Sequence, residues 1–380
     1  MVALFIRHPG RVSPPPGRES RNTPPRVLAG RTAPLAGALI CRRPRCDTPS
    51  THSFAADRAL RYASCERLCP VHGRADDRVV PVGSATEVEI RWVESTWQRR
   101  ITRVRRLTGG WTSTMLGLTG HDGEQAVLRL VTKEPWRRHA AGLLSREAAV
   151  QRQLQRSSIP VPRSIALDLS GETAGAPAHL MSWLPGRLCL TSAADGILEA
   201  MAQVLVSIHQ FAPGQDRPRQ YQSWAAPGKR VMPPWAQRRQ LWHQAFELLE
   251  QPVPAYAGTF LHRDFHPGNL LWSHGRISGV VDWVETSWGP ATLDVAHAAT
   301  YLAMLHGIEA GARFTNAYRR RVDGRHDEDE FRYWNVMDIV GYLPDPAKVV
   351  QPWRDSGLDI SDDLARSRLE QRLEHVLRAH

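Results

Sequence analysis

The sequence predicts an α+β protein in which a small sheet-rich half precedes a larger helical half. Three observations carry this. Short β-type segments broken by Gly and Asp turns crowd residues 88–131. Helical spacing dominates after "HLMSWLPG" (179–186). Three short apolar runs near residues 260, 270 and 280 interrupt the helices around a Pro-Gly turn. At 380 residues the chain is long enough for two lobes with a substantial core.

Taken in order, residues 1–85 read as an extension rather than a fold. They hold 14 of the arginines against 6 acids, so +8 of the net +11 is theirs, together with 11 of the 28 prolines. Such a segment cannot bury enough apolar surface to offset chain entropy and is expected to be disordered. The remaining 295 residues are almost balanced, at +3, so bulk charge does not argue for a nucleic-acid partner. An overextended reading frame, with the functional protein starting near Val79 or Val82, explains the extension most simply. Cys41, Cys46, Cys65 and Cys69, with His72 nearby, are too irregularly spaced to be read as a zinc site. No secretory signal or membrane-length apolar run is found, so a cytoplasmic address is expected.

In the first half, "EVEIRWVE" alternates as a strand would, and "ITRVRRLTGGWTSTMLGLTGHDGEQAVLRLVT" reads as three strands. Gly109 and Gly110, at the first turn, would let backbone N–H groups approach a phosphate closely. Val127 and Arg129 share one face of the third strand by period-2 alternation. A helix over 140–156 follows. There Leu143, Glu147, Val150 and Leu154 fall on one stripe, which puts a carboxylate where it is costly unless paired. Arg129 is its natural partner. Further helices are expected over 196–211, 235–250 and 292–306 and from 361. Cys189 and His209 read as core residues, and the acidic run "DGRHDEDE" (323–330) as a solvated loop.

Chemistry concentrates in "HRDFHPGNLLW" (262–272), a rigid loop between two apolar strands. A second strand, Ile277 to Val281, pairs with the first as a hairpin and delivers Asp282 beside Asp264 and Asn269. Phosphoryl transfer needs such a set: one carboxylate for the acceptor hydroxyl, and an amide with a second carboxylate to hold Mg²⁺ on nucleotide phosphates.

The motif His262-x-Asp264-x4-Asn269 followed by Asp282-Trp283, with "GVVDWVETSWGPATLDVAH", resembles the aminoglycoside phosphotransferase and choline kinase-like family, relatives of protein kinases. The resemblance spans about residues 100–310. It implies a bilobal protein kinase-like fold, with a nucleotide-binding lobe over 86–185 and a catalytic, substrate-binding lobe over 186–380. It also implies ATP and Mg²⁺ as cofactors and a small hydroxylated molecule as acceptor. Asp264 then matches the catalytic base and Asn269 and Asp282 the metal ligands. Gly109, Gly110, Val127, Arg129 and Glu147 match the nucleotide site, in which Lys133 is the less fitting alternative to Arg129. Ser182, Trp183 and Leu184 match the hinge that meets adenine. His262 and His266 would shape the loop, Trp283 would pack beside the metal ligand, and Asp294 would brace the loop. A nucleotide-binding pseudokinase and a nucleic-acid binder using the basic arm are the competing readings; the first is disfavoured by the complete motif, the second by the lack of a reader motif. The identity of the acceptor and the oligomeric state are not written in the motifs.

Overall fold

The computed structural model describes residues 87–107, 112–322 and 327–378. Gly109, Gly110, residues 1–85 with their four cysteines and His72, and the first half of the 323–330 run lie outside the described residues.

The first element corrects the sequence reading. "EVEIRWVE" belongs to a helix, α1 (Glu87–Trp97), not a strand. Its period-2 alternation coincides with a helical set, and the helical set is what the fold buries: Trp92, Val93 and Trp97 pack on the sheet with Val104, Leu118 and Leu128. Glu87 and Glu89 in the first turn complement the helix dipole. Glu94 fastens the helix to the next strand by accepting the Ile101 N–H at 2.7 Å.

Five antiparallel strands then form one sheet in the order β1-β2-β3-β5-β4. These are β1 (Ile101–Leu107), β2 (Thr114–Gly120), β3 (Gln125–Leu130), β4 (Ser164–Asp168) and β5 (Ala178–Ser182). Between β3 and β4 runs α2 (Ala140–Leu154). Its last turns leave the sheet: Val150 and Leu154 join the helical half's core with Phe260, Phe265, Leu270 and Trp283. One helix thus spans both halves.

The helical half holds α3 (Asp195–His209), α4 (Arg239–Glu250), α5 (Thr292–His306), α6 (Ile308–Arg319), α7 (Glu328–Gly341), α8 (Val350–Asp355) and α9 (Asp362–Arg378). The acidic run is another correction. Asp327 is the N-cap of α7, accepting the Asp329 and Glu330 N–H groups at 2.9 and 3.1 Å, and the following acids occupy the first turn, where negative charge is favourable. Among the described residues no helix is long and apolar enough to cross a membrane.

Small strands hold the centre. β7 (Gly258–Leu261) pairs with β10 (Ser287–Pro290), while β8 (Leu270–Ser273) lies between β6 (Arg187–Leu188) and β9 (Arg276–Val280). Leu261 faces Ser287, and Leu270 faces Val280. Residues 262–269 and 281–286 therefore bridge the same two strand pairs, side by side. That topology places the candidate chemistry.

Candidate active site

Two neighbouring loops carry the carboxylates. The first bends at Arg263, whose φ is +72°, and the second at Asp282, with φ +64°. Both values are uncommon for residues with a Cβ and are held only where the surroundings determine them. The determinant is visible. Asp294, at the start of α5, accepts the consecutive backbone N–H groups of His262 (2.8 Å) and Arg263 (2.7 Å). Its buried carboxyl also takes a bond from His209 Nε2 at 3.3 Å, and His209 Nδ1 accepts the Tyr318 hydroxyl at 2.6 Å. His209 is thus part of this brace, beyond the core role expected of it. Burial pushes the Asp294 carboxyl up, but His209 and nearby cations outweigh it and hold it below the usual range.

The histidines of the motif tie the loops together. His262 Nε2 donates to the Val281 carbonyl at 3.0 Å, leaving Nδ1 toward the Asp264 N–H. His266 Nδ1 accepts the Gly268 N–H at 3.0 Å, and its ring stacks on Tyr301 at 3.9 Å. The Pro267–Asn269 turn then aims Asn269 back: its amide nitrogen donates to the Asp264 carbonyl at 2.9 Å and lies 3.3 Å from the carboxylate. The amide oxygen is left to face elsewhere. Trp283 is buried, its Nε1 donating to the Val280 carbonyl at 2.8 Å.

Across from the loops, the structure brings Arg129 and Glu147 together. Arg129 Nη1 lies 3.2 Å from Glu147 Oε1, and both terminal nitrogens lie 3.1 Å from Asp282 Oδ1. Lys133 lies past the end of β3, so the strand cation facing Glu147 is Arg129. Burial raises the Glu147 carboxyl, but Arg129 and His179 together hold it below its ordinary value. His179 donates through Nδ1 to Glu147 Oε2 at 3.0 Å and accepts the Ser164 hydroxyl at Nε2, also at 3.0 Å. Val127, two residues before Arg129, lies on β3 opposite Met181 of β5. Ser182 ends β5 and accepts the Arg163 N–H at 2.8 Å; Trp183 is covered by the Arg105 guanidinium at 4.4 Å. Leu184 follows in the connection to β6.

His179, His297 and Asp338 went unread in the sequence. His297 on α5 faces Asp264 Oδ1 through Nε2 at 3.1 Å and Asp338 Oδ1 of α7 through Nδ1 at 2.9 Å. Asp264, His266 and His297 bring donor atoms within 4.8 Å of one another. His297 is the ring hydrogen-bonded to Asp264, whereas His266 Nε2 stands 3.7 Å from that carboxylate and 3.2 Å from the Asn269 amide nitrogen.

Set beside known proteins, the sequence matches the model of the phosphotransferase enzyme family over residues 103–332. A curated relative, the N-acetylmuramate/N-acetylglucosamine kinase of Neisseria meningitidis serogroup B, is 38% identical over 58 residues, which is 15% of this chain and 17% of that protein. Among solved structures, a thermostable mutant of aminoglycoside phosphotransferase APH(4)-Ia in ternary complex with AMP-PNP and hygromycin B superposes with a TM-score of 0.55 at 19% identity, covering 76% of this chain and 98% of that one. Another structure of APH(4)-Ia gives 0.54 at 20% identity over the same shares. At such identities the likeness is one of fold.

Proposed function

The chain belongs to the phosphotransferase enzyme family, and from that premise we propose that it is an ATP-dependent kinase that moves a phosphoryl group to a hydroxyl of a small molecule, a sugar-like or aminoglycoside-like acceptor. The observation that supports it best is the meeting of Asp264, Asn269 and Asp282 on two adjacent loops opposite the Arg129–Glu147 pair.

The donor set fits a magnesium nucleotide. Asp282 is 22% exposed at its side chain, and Arg129 occupies only its Oδ1. Asn269 commits its nitrogen to Asp264 and keeps its oxygen. Two hard oxygens are therefore available, the kind Mg²⁺ takes. Arg129 Nε is buried without a hydrogen-bond partner, suited to a phosphate oxygen. When bound, MgATP supplies the transferable phosphoryl group and the metal's charge over its oxygens. Asp264 orients the acceptor hydroxyl and takes its proton. Asn269 fixes Asp264 from one side, and Asp294 fixes the loop that carries both.

The relatives above, with choline and homoserine as smaller hydroxylated acceptors, set the panel. An ADP-release screen should include hygromycin B, other aminoglycosides, N-acetylglucosamine, N-acetylmuramate, choline and homoserine, with Asp264→Ala as background. Acceptor-dependent ADP release above that background supports the reading. ATP binding with no release above background for any acceptor would favour a pseudokinase instead.

A further inference from the structure

Asp264 is held from behind by a buried chain of charge that the phosphotransfer reading does not itself require. His297 is 1% exposed, and each ring nitrogen meets a carboxylate oxygen, Asp264 at 3.1 Å and Asp338 at 2.9 Å. A neutral imidazole has one N–H and one lone pair, so one of these contacts would set a lone pair against an anionic oxygen. A ring protonated at both nitrogens satisfies both. We propose that His297, clamped as an imidazolium by Asp338, is a positioning residue that keeps Asp264 ionised and fixes the plane of its carboxylate. This rests on the reading of Asp264 as the acceptor's base.

The surroundings agree. From the 262–269 loop His297 faces Asp264 and His266; from α7 it faces Asp338 and the Tyr342 hydroxyl at 3.4 Å; on its own helix it faces Tyr301. Trp224 packs edge-on to the ring at 5.1 Å, and its other neighbour is the Arg263 guanidinium, 3.8 Å from the indole. Both carboxylates contact the ring itself, whereas Arg263 stands behind an indole. Burial lowers the His297 value, but Asp338 and Asp264 outweigh it, and the ring is raised above the ordinary histidine range. His266 goes the other way: burial outweighs Asp264 and brings it to about 3, so it stays neutral and does not compete for the charge. Asp338 is buried, where a carboxylate is costly unless paired; Arg263 and Arg372 lie near enough to favour its charge, and His297 is the cation hydrogen-bonded to it. Because phosphoryl transfer has a loose transition state, alignment of the base matters at least as much as its strength.

The test uses the full chain, ¹⁵N-labelled at histidine, with wild type, His297→Gln, Asp338→Asn and Asp264→Asn compared from pH 5.5 to 9.5. Nuclear magnetic resonance should show His297 protonated at both nitrogens at pH 7 and titrating above roughly 6.5. ADP release from MgATP, with water as acceptor, is followed in parallel. Wild-type turnover should fall on the alkaline side with that titration. Asp338→Asn, close to isosteric, should move both the titration and the fall to lower pH by about one unit. His297→Gln should abolish the fall and lower kcat about 10- to 100-fold, with KM for ATP within about threefold. A His297 carrying a single proton at pH 7, or a titration unmoved by Asp338→Asn, overturns the proposal. Turnover retained by Asp264→Asn would instead sink the base assignment, whatever His297 does.

Discussion

Two buried ion networks meet at this site, and they are built from different cations. On the sheet side, Arg129 joins Glu147 and Asp282, with His179 and Ser164 behind. On the helical side, His297 joins Asp264 and Asp338. A guanidinium stays charged at any working pH, and here burial is outweighed by Asp282 and Glu147, which raise it further. An imidazole loses its charge within a few pH units of neutrality. The sheet-side network is therefore a fixed clamp and the helical-side network a titratable one. Binding and transfer should part company when pH or sequence is changed.

The largest separation is expected from Asp264→Asn. It keeps the size of the side chain but cannot take a proton, so kcat should fall by about 10²–10⁴ while ATP affinity stays within a few-fold. Lost ATP binding with kcat spared at saturating ATP would move Asp264 into the sheet-side network.

Next comes the brace beneath both networks. Asp294→Ala leaves two buried backbone N–H groups and His209 without their acceptor. It should cost about 3–5 kcal/mol of stability, read from urea midpoints. A loss under 1 kcal/mol would mean that the loop holds its shape unaided.

A double-mutant cycle on Arg129→Met and Glu147→Gln sharpens the sheet side. Their coupling in ATP binding, by calorimetry, should be about 0.5–3 kcal/mol. Strict additivity would show that Glu147 does not act through Arg129.

The smallest effect is a predicted constancy. KM for ATP should be flat from pH 6 to 9, because Arg129 titrates above that window. Glu147 is held below its usual value, so its stabilising share is present above about 4.5 and lost only as pH falls through the lowered value. His297 runs oppositely: raised in the fold, its share is present below about 6.5 and lost as pH rises through the raised value. A KM for ATP that tracks the alkaline fall in kcat would erase the distinction between the networks.

Much of this was legible in the sequence because it lay in short, punctuated segments. The Pro267-Gly268 turn and the flanking apolar runs located the loop, and Glu147 announced itself as an acid on an apolar stripe. Asp338 gives the same signal within "NVMDIVG", yet the helix around it was not assigned, so the signal had no frame. His179 and His297 lie in apolar runs where a lone histidine reads as core, and only tertiary pairing reveals them. The strand expected over "EVEIRWVE" (87–94) failed because alternation and helical spacing overlap in so short a window. β10, "SWGP", is weak in β propensity and is held by its pairing with β7.

The paired loops also bear on the order of folding. β8 and β9 are joined by a two-residue turn, His274-Gly275, so their hairpin closes a very short loop. β7 and β10 pair only across that finished hairpin, Leu261 with Ser287. Closure entropy favours the hairpin first and the outer pair later. Since residues 262–269 and 281–286 each connect an inner to an outer strand, both take their final shape in that one later step. A chain interrupted before it would hold neither loop in its final shape. In kinetic terms, substitutions in β8 or β9 should slow refolding, while those in β10 should chiefly speed unfolding.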